Sequence, residues 1–355
     1  MTNDKFSESA PLQVRLEPQF DPTCASPPRG IVVAMLLLAA VVSLSCRQEG
    51  GALRLKIATL DAGSSWYGYG ATFAELIRRQ LPSGSRIDVL PYAGSIGNPT
   101  LIARGEADLG LCMGVTAGWA YHGKFAFDEE HKGLRALAGG LDRYYYAVIA
   151  RRDLNLGSLR EIRDRKAAVR VVTQTAGTLN SVQCFQLLGA YGISAEDIRR
   201  FGGDILQTST DVIAAAMRDG RADLWFQPVT AGHPSVMEVA ASIKVKFLRL
   251  EPEVIRRLVE TYGYTADVLP PGSFPGQEQE IPLIGCSTCL FASERLPEPV
   301  AYAAARAVCE GEKQLKAAYK GMAAFEPAKA WDPKISGLPL HPGAERYYRE
   351  KGYIR

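Results

Sequence analysis

Residues 101–111 read LIARGEADLGL, and residues 216–226 read AMRDGRADLWF. In both, Gly-x-Ala-Asp-Leu closes a helical pattern and leads into an apolar run. Gly105, Ala107, Asp108 and Leu109 therefore align with Gly220, Ala222, Asp223 and Leu224. A glycine after the last periodic residue stops a helix in the left-handed conformation, and a short polar turn then feeds a buried strand. The repeat predicts two α/β units of like build, with the aspartates serving the turns rather than forming a catalytic pair. A common helix-to-strand turn that arose twice independently is the alternative.

Outward from the first copy, LRLKIATL (53–60) is an apolar run with the look of a strand, and WYGYGATFAELIRRQL (66–81) has helical spacing through Phe73, Leu76, Ile77 and Leu81. SRIDVLPYAG (85–94) is a second strand. NPTLIARG (98–105) is a helix with Pro99 at its first position, and ADLGLCM (107–113) is a buried strand. Strand–helix alternation of this kind predicts a mostly parallel sheet flanked by helices. Around the second copy the order repeats. AAVRVVT (167–173) is a strand, LNSVQCFQLLGAYG (179–192) a helix, TSTDVIAAAMRDG (208–220) a helix capped by Ser209 or Thr210, and ADLWF (222–226) a strand.

Between the two units YYYAVIA (144–150) has strong strand propensity, and IPLIGCSTCLFAS (281–293) is the candidate return. Two strands crossing between lobes make a hinge. The expected division is a leader over 1–50, lobe I over 52–143 and 286–355, and lobe II over 144–285. The last 60 or so residues read as helices that pack back on lobe I.

The 355 residues suffice for two domains, and 47% hydrophobic with 22% charged residues suits a globular chain with a sizeable core. The net charge of +3 is scattered, so composition gives no case for nucleic-acid binding. His122, His131, His233 and His341 are dispersed, without metal-ligand spacing, and FDEEH (127–131) reads as a solvated helix start rather than a metal site. No G-x-S-x-G, P-loop or dinucleotide fingerprint is present. Cys286 and Cys289 form a CxxC inside an apolar strand pattern, where residues three apart face opposite sides. They read as small core residues rather than a redox pair.

The N-terminus differs from the rest. A polar stretch precedes IVVAMLLLAAVVSL (31–44), which is too short for the roughly 20 residues of a membrane span but suits the apolar region of a secretory signal. Ser45 and Cys46 follow, so cleavage before a lipidated Cys46 is expected; an uncleaved anchor and ordinary cleavage are the alternatives.

Three turns share one design of strand, Gly/Ser/Thr loop and helix start: AGSSWYG (62–68), AGSIGN (93–98) and QTAGT (174–178). Such turns expose backbone N–H groups beside the positive end of a helix dipole, where an anion binds. In open α/β sheets, ligands sit at the carboxyl ends of strands, which is where these turns lie. Trp66, Tyr67, Tyr144–Tyr146, Trp225 and Phe226 are candidates for an aromatic wall. The plainer alternative is that the glycines make turns, the hydroxyls cap helices and the aromatics fill the core.

These stretches resemble the solute-binding subunits of TRAP transporters of the TAXI family, over roughly residues 52–355. GSSWYGYG (63–70) is similar to that family's GGxYYPLG loop, AGSIGN to its GGSVEN loop, and TAGT (175–178) to its GSGT turn. GRADLWF (220–226) followed by GHP (232–234) is similar to its dGxiDAff…GxP, and LPLHPGAERYYREKG (338–352) matches its C-terminal segment most specifically. Ser64, Gly68 and Gly97 depart from the family's Gly, Pro and Glu, and all three fall on the expected ligand turns.

The resemblance implies a type II periplasmic-binding-protein fold of two α/β lobes joined by two hinge strands, with no catalytic residue, metal or cofactor. It implies capture of a small carboxylate (an amino acid, dicarboxylate or 2-oxo acid) and delivery to TRAP permease membrane subunits. The protein would be periplasmic or attached to the membrane through its N-terminus. By position, Ser64, Ser65, Trp66, Tyr67, Gly94, Ser95, Asn98, Thr175, Gly177, Thr178 and Gln227 would line the site. A sensory binding protein for a membrane receptor, or an enzyme on the same fold, would fit the same pattern.

Overall fold

In the computed structural model, residues 51–355 are described, apart from Gly63 and Ala93; the apolar run 31–44 and Cys46 lie outside these residues. The first unit runs β1 (Arg54–Ala58), α1 (Ser65–Arg78), β2 (Arg86–Leu90), α2 (Gly94–Arg104), β3 (Leu109–Met113), α3 (Gly114–His122) and β4 (Leu134–Ala138). β5 (Tyr144–Arg151) opens the second unit. It is followed by α4 (Arg160–Asp164), β6 (Arg170–Gln174), α5 (Leu179–Ala190), α6 (Ala195–Arg200), β7 (Asp204–Thr208), α7 (Thr210–Arg218) and β8 (Leu224–Val229). α8 (Pro234–Ser242), β9 (Val245–Leu248), α9 (Pro252–Tyr262), β10 (Thr265–Leu269) and β11 (Ile281–Cys286) complete it. β12 (Thr288–Ser293) returns to the first unit, and α10 (Glu298–Glu310), α11 (Glu312–Ala318), α12 (Pro333–Ser336) and α13 (Pro342–Glu350) close the chain.

These strands form two sheets. One has the order β2-β1-β3-β12-β4, and the other β10-β11-β5-β8-β6-β7 with β9 also paired to β5. The correspondence is direct: β2-β1-β3 and β7-β6-β8 are each three parallel strands, and each is extended by an antiparallel strand, β12 or β5, that has crossed from the other unit. The expected α/β build of two sheets flanked by helices holds, with antiparallel strands among the parallel ones. A crossing strand enters its new sheet from the opposite end, so it pairs antiparallel. The β10–β11 pair and β9 add further antiparallel edges to the second sheet. Both sheets are mixed.

The repeated Gly-x-Ala-Asp-Leu falls at the same place in each unit, the turn from α2 to β3 and from α7 to β8. Gly105 (φ 76°) and Gly220 (φ 69°) are both left-handed. The next amide reaches back across the turn in each case, Glu106 N–H to Leu101 O at 3.0 Å and Arg221 N–H to Ala216 O at 2.9 Å. Asp108 N–H donates to Lys56 O (3.0 Å) while its Oδ2 accepts from Lys56 N–H (2.7 Å). Asp223 does the same with Arg170, at 2.8 Å in both directions. Each aspartate thus bolts the incoming strand to the first parallel strand of its own sheet.

Two sequence expectations shift at element scale. The second helix begins at Gly94 rather than Pro99, so AGSIGN is mostly helix and Pro99 lies inside it. The run IPLIGCSTCLFAS is two strands separated at Ser287, one in each sheet. Cys286 and Cys289 are therefore parted between sheets, and Cys289 stands opposite Cys112 on β3. Both of these, like the other cysteines among the described residues, are free and buried.

The C-terminal segment packs on the first sheet through α10 and α13. His341 caps α13, its Nδ1 accepting from Gly343 N–H at 3.2 Å. Buried Tyr348 donates its hydroxyl to Leu137 O at 2.9 Å. Among the described residues, no helix is long and apolar enough to cross a membrane.

Candidate functional site

The carboxyl ends of β1, β2 and β3 come together, and short polar groups lace them. After β1, Ser64 caps α1, its Oγ accepting from Tyr67 N–H at 3.1 Å. Ser65 is exposed and Tyr67 half-buried, whereas Trp66 turns inward and its indole N–H donates to Thr288 Oγ1 at 3.1 Å. After β2, Gly94 opens α2 at φ 65°; a Cβ there would stand 2.8 Å from Leu60 Cδ1, so glycine lets the second turn lie against the first.

Ser95 and Asn98 follow Gly94 and point into the sheet rather than out of it. Ser95 Oγ accepts from Met113 N–H (2.8 Å) and is hydrogen-bonded to Thr116 Oγ1 (2.5 Å). Asn98 is fully buried and aims its amide NH2 at three carbonyls, Ala58 (3.2 Å), Thr59 (2.9 Å) and Leu111 (2.7 Å). These two residues hold the turns in place.

A fourth turn of the same design went unread in the sequence. Met113 leads through Gly114 into α3, and Thr116 Oγ1 donates to Met113 O at 2.8 Å. The rule of strand, glycine and helix start that picks out the other three would have found it.

In the second sheet, Thr178 caps α5, accepting from Ser181 N–H at 3.3 Å and donating to Thr175 O at 2.7 Å. Thr175 and Gly177 are exposed, with Gly177 at φ 83°. Gln174 Nε2 donates to Thr210 Oγ1 (2.9 Å), joining the ends of β6 and β7. Gln227 is different: it lies within β8 opposite Ala147, buried, and its Oε1 has no partner among the described residues. So Ser64, Ser65, Trp66, Tyr67, Gly94, Ser95 and Asn98 gather at one set of strand ends, Thr175, Gly177 and Thr178 at the other, and Gln227 belongs to the sheet interior.

The two sheets meet at the crossing segments around Asp142 and Ser287. Thr288 N–H donates to Asp142 Oδ1 (2.7 Å) and Thr288 Oγ1 to Asp142 Oδ2 (2.8 Å), while Leu141 N–H donates to Thr288 O (3.1 Å). Burial pushes the Asp142 carboxyl up to about 7, against the opposing pull of the two Thr288 bonds. Two grooves border this crossing. One of about 280 Å³ includes Gly114, Trp119, Phe125, Tyr262 and Ser287; the other, of about 300 Å³, includes Asp142, Arg143, Asp267, Glu326 and Lys329. Across the first, Trp119 of α3 donates its indole N–H to Tyr262 O at 2.6 Å; across the second, Arg143 pairs with Asp267 at 2.8 Å. Among the described residues no group of three or more His, Cys, Asp or Glu is arranged to hold a metal ion.

Comparison with known proteins agrees with this architecture. The model of the NMT1-like family matches residues 57–352. The solved structure of MatC from Rhodopseudomonas palustris with bound malate is similar at 15% identity and a TM-score of 0.52, covering 83% of this chain and 98% of that one. The periplasmic binding protein BugD is similar at 15% identity and a TM-score of 0.51, covering 85% and 97%. At this identity the likeness is one of fold: two sheets flanked by helices, as in a periplasmic binding protein.

Proposed function

This chain belongs to the NMT1-like family, and on that premise we propose that it is a two-lobed solute-binding protein which captures a small carboxylate between its lobes. The observation that carries the reading is the pairing of two sheets of matching build, each ending its parallel strands in glycine and hydroxyl turns that open helices, with adjacent crossing strands between them. In this reading lobe I comprises 52–143 with 286–355, and lobe II comprises 144–285. Helix starts at both sets of strand ends offer backbone N–H groups and the positive end of a dipole to a carboxylate.

The residues divide by role. Ser65, Tyr67, Thr175 and Gly177 have open faces and would meet the solute. Ser64, Trp66, Gly94, Ser95, Asn98 and Thr178 would set the turns that present them. Malate bound to MatC, a protein of similar fold, makes a dicarboxylate a first candidate; an amino acid or a 2-oxo acid fits the same chemistry. No covalent step is involved. The solute stabilises the closed arrangement by binding it more tightly than the open one.

The likeness of the C-terminal segment and the turns to the TAXI family supports delivery to a TRAP-type permease, with the protein periplasmic and tethered through residues 1–50 by lipidation at Cys46 or by an uncleaved anchor. A thermal-shift screen of the full-length chain against malate, glutamate and 2-oxoglutarate tests the binding claim. A ligand present at about 100 times its dissociation constant adds about 2.7 kcal/mol to stability. At least one of these acids is expected to raise the melting temperature, and its uncharged amide or ester is not; equal shifts with the uncharged forms would remove the carboxylate from the account.

A further inference from the structure

Asp142 stands where β4 hands the chain on to β5, and Thr288 where the return strand begins. The hydrogen bonds between them continue outward in one direction. Trp66 Nε1–H donates to Thr288 Oγ1 (3.1 Å), and Thr288 Oγ1–H donates to Asp142 Oδ2 (2.8 Å). The chain of donors therefore runs from indole to hydroxyl to carboxylate, and it links the first ligand turn to both crossing segments. Trp66 lies between exposed Ser65 and half-buried Tyr67 of that turn.

The polarity of this chain depends on the carboxylate being an acceptor. The hydroxyl has one hydrogen, which it gives to Oδ2, leaving its lone pairs for the indole. Oδ1 already accepts from the Thr288 N–H at 2.7 Å, which favours Oδ2 for a proton arriving on Asp142. The carboxyl then donates into Thr288 Oγ1, and the hydroxyl hydrogen loses its acceptor and has to swing away, which re-aims the lone pairs that receive the indole.

We propose that Asp142 is a protonation-dependent positioning residue: ionised, it holds Trp66 and the first ligand turn in the solute-binding arrangement, and protonated, it releases them. The inference rests on the binding role argued above for that turn. It goes beyond that role by making capture of the solute proton-linked through a residue that does not touch it.

The surroundings leave Asp142 free to titrate. It is buried, and the guanidinium of the next residue, Arg143, is engaged by Asp267 through Nε (2.8 Å) and Nη2 (2.8 Å). Facing it are Tyr69 from α1, Tyr144 from β5 and Cys286 from β11, with Arg143, Asp267, Glu326 and Lys329 along the adjoining groove. Burial, and then the Asp142 charge, pushes Tyr69, Tyr144 and Cys286 upward, so all three stay neutral while Asp142 titrates. The carboxyl itself is raised to about 7, within reach of ordinary changes in external pH.

The direct test needs no ligand. Tryptophan emission of the full-length chain, recorded from mildly acidic to mildly alkaline pH, is expected to show a transition near pH 7 in the wild type. Asp142→Asn and Trp66→Phe should abolish it. Thr288→Val, which keeps the carboxylate and removes the hydroxyl between them, should do the same and serves if Asp142→Asn proves unstable. A wild-type signal that is flat across neutrality, or a transition that persists in Asp142→Asn, overturns the proposal.

Calorimetric titration with malate, glutamate and 2-oxoglutarate then separates this inference from the binding role. Wild-type affinity should fall by up to about tenfold per pH unit below the transition, and Asp142→Asn should bind with flat affinity. Wild-type affinity that does not change with pH overturns the positioning role. If none of the acids binds while the emission transition behaves as described, the relay stands and it is the carboxylate reading that fails.

Discussion

Asn98 and Asp223 are short polar residues with work inside the protein. Asn98 directs a buried amide at the carbonyls of Ala58, Thr59 and Leu111, so Asn98→Ala strands acceptors from two strands at once. It is expected to cost about 1–3 kcal/mol of stability, measured by urea unfolding, with any loss of affinity secondary to that. Asp108→Ala and Asp223→Ala each remove the acceptor of one strand amide and should cost about 1 kcal/mol apiece on that account, and Asp223→Ala also breaks the pairing with the Arg170 guanidinium. Asp223 adds a pH signature. Burial tends to raise its carboxyl, but hydrogen bonds from the Arg170 side chain and backbone outweigh burial and hold it below the usual range. A lowered carboxylate contributes stability above the unfolded value of about 4, and that contribution is lost as pH falls through the folded value. Asp223→Ala should therefore narrow its stability deficit in acid; a deficit that is constant with pH would contradict the Arg170 account. At this scale the sequence was only partly legible. The letters of AGSIGN pointed to a ligand turn, but Pro99 advertises a helix start that the chain places at Gly94. With the helix begun early, Ser95 and Asn98 rotate inward.

Elements were the most legible level, because hydrophobic spacing decides them. The helices 66–81 and 179–192 and the strand 144–150 all lie where their periodicity indicates, within a few residues at the ends. The return strand is the instructive exception: the apolar run 281–293 reads as one crossing strand, but it is two, parted at Ser287 and buried in different sheets. The C-terminal LPLHPGAERYYREKG, the most specific likeness to a known family, is explained by packing. A Cβ on Gly343 would lie 2.2 Å from Glu298 O, a backbone atom that cannot step aside, so α13 can approach α10 only with glycine there. Gly343→Ala is expected to destabilise by about 1–3 kcal/mol or more, read as a lower melting temperature in the presence and absence of ligand alike. The crossing segments carry a second signature. Because the Asp142 carboxyl is raised, the folded state binds a proton that the unfolded state has already released. The cost of ionising it is absent below about pH 4, grows as pH rises toward about 7, and is complete above that. Melting temperatures of Asp142→Asn across this window should lack that decline; an identical decline would assign it to other groups.

At the scale of the molecule, the repeat of Gly-x-Ala-Asp-Leu marks architecture. The two copies bolt equivalent strands into two sheets of like order, and the crossing strands then extend each sheet with a strand from the other unit. The sequence disclosed an α/β chain of two repeated units in their order, which the two sheets match. The mixed character of the sheets was hidden, because strand direction after a crossover is a property of the path through space and leaves no local mark. The same holds for the relay through Trp66, Thr288 and Asp142, whose members are 222 and 146 residues apart. The proposed function requires the two units to close on a small carboxylate. Small-angle scattering of the full-length chain, titrated with malate, glutamate and 2-oxoglutarate, tests it most directly. A saturable contraction with at least one of these acids is what closure requires; a radius of gyration unchanged at saturating levels of all three would contradict it.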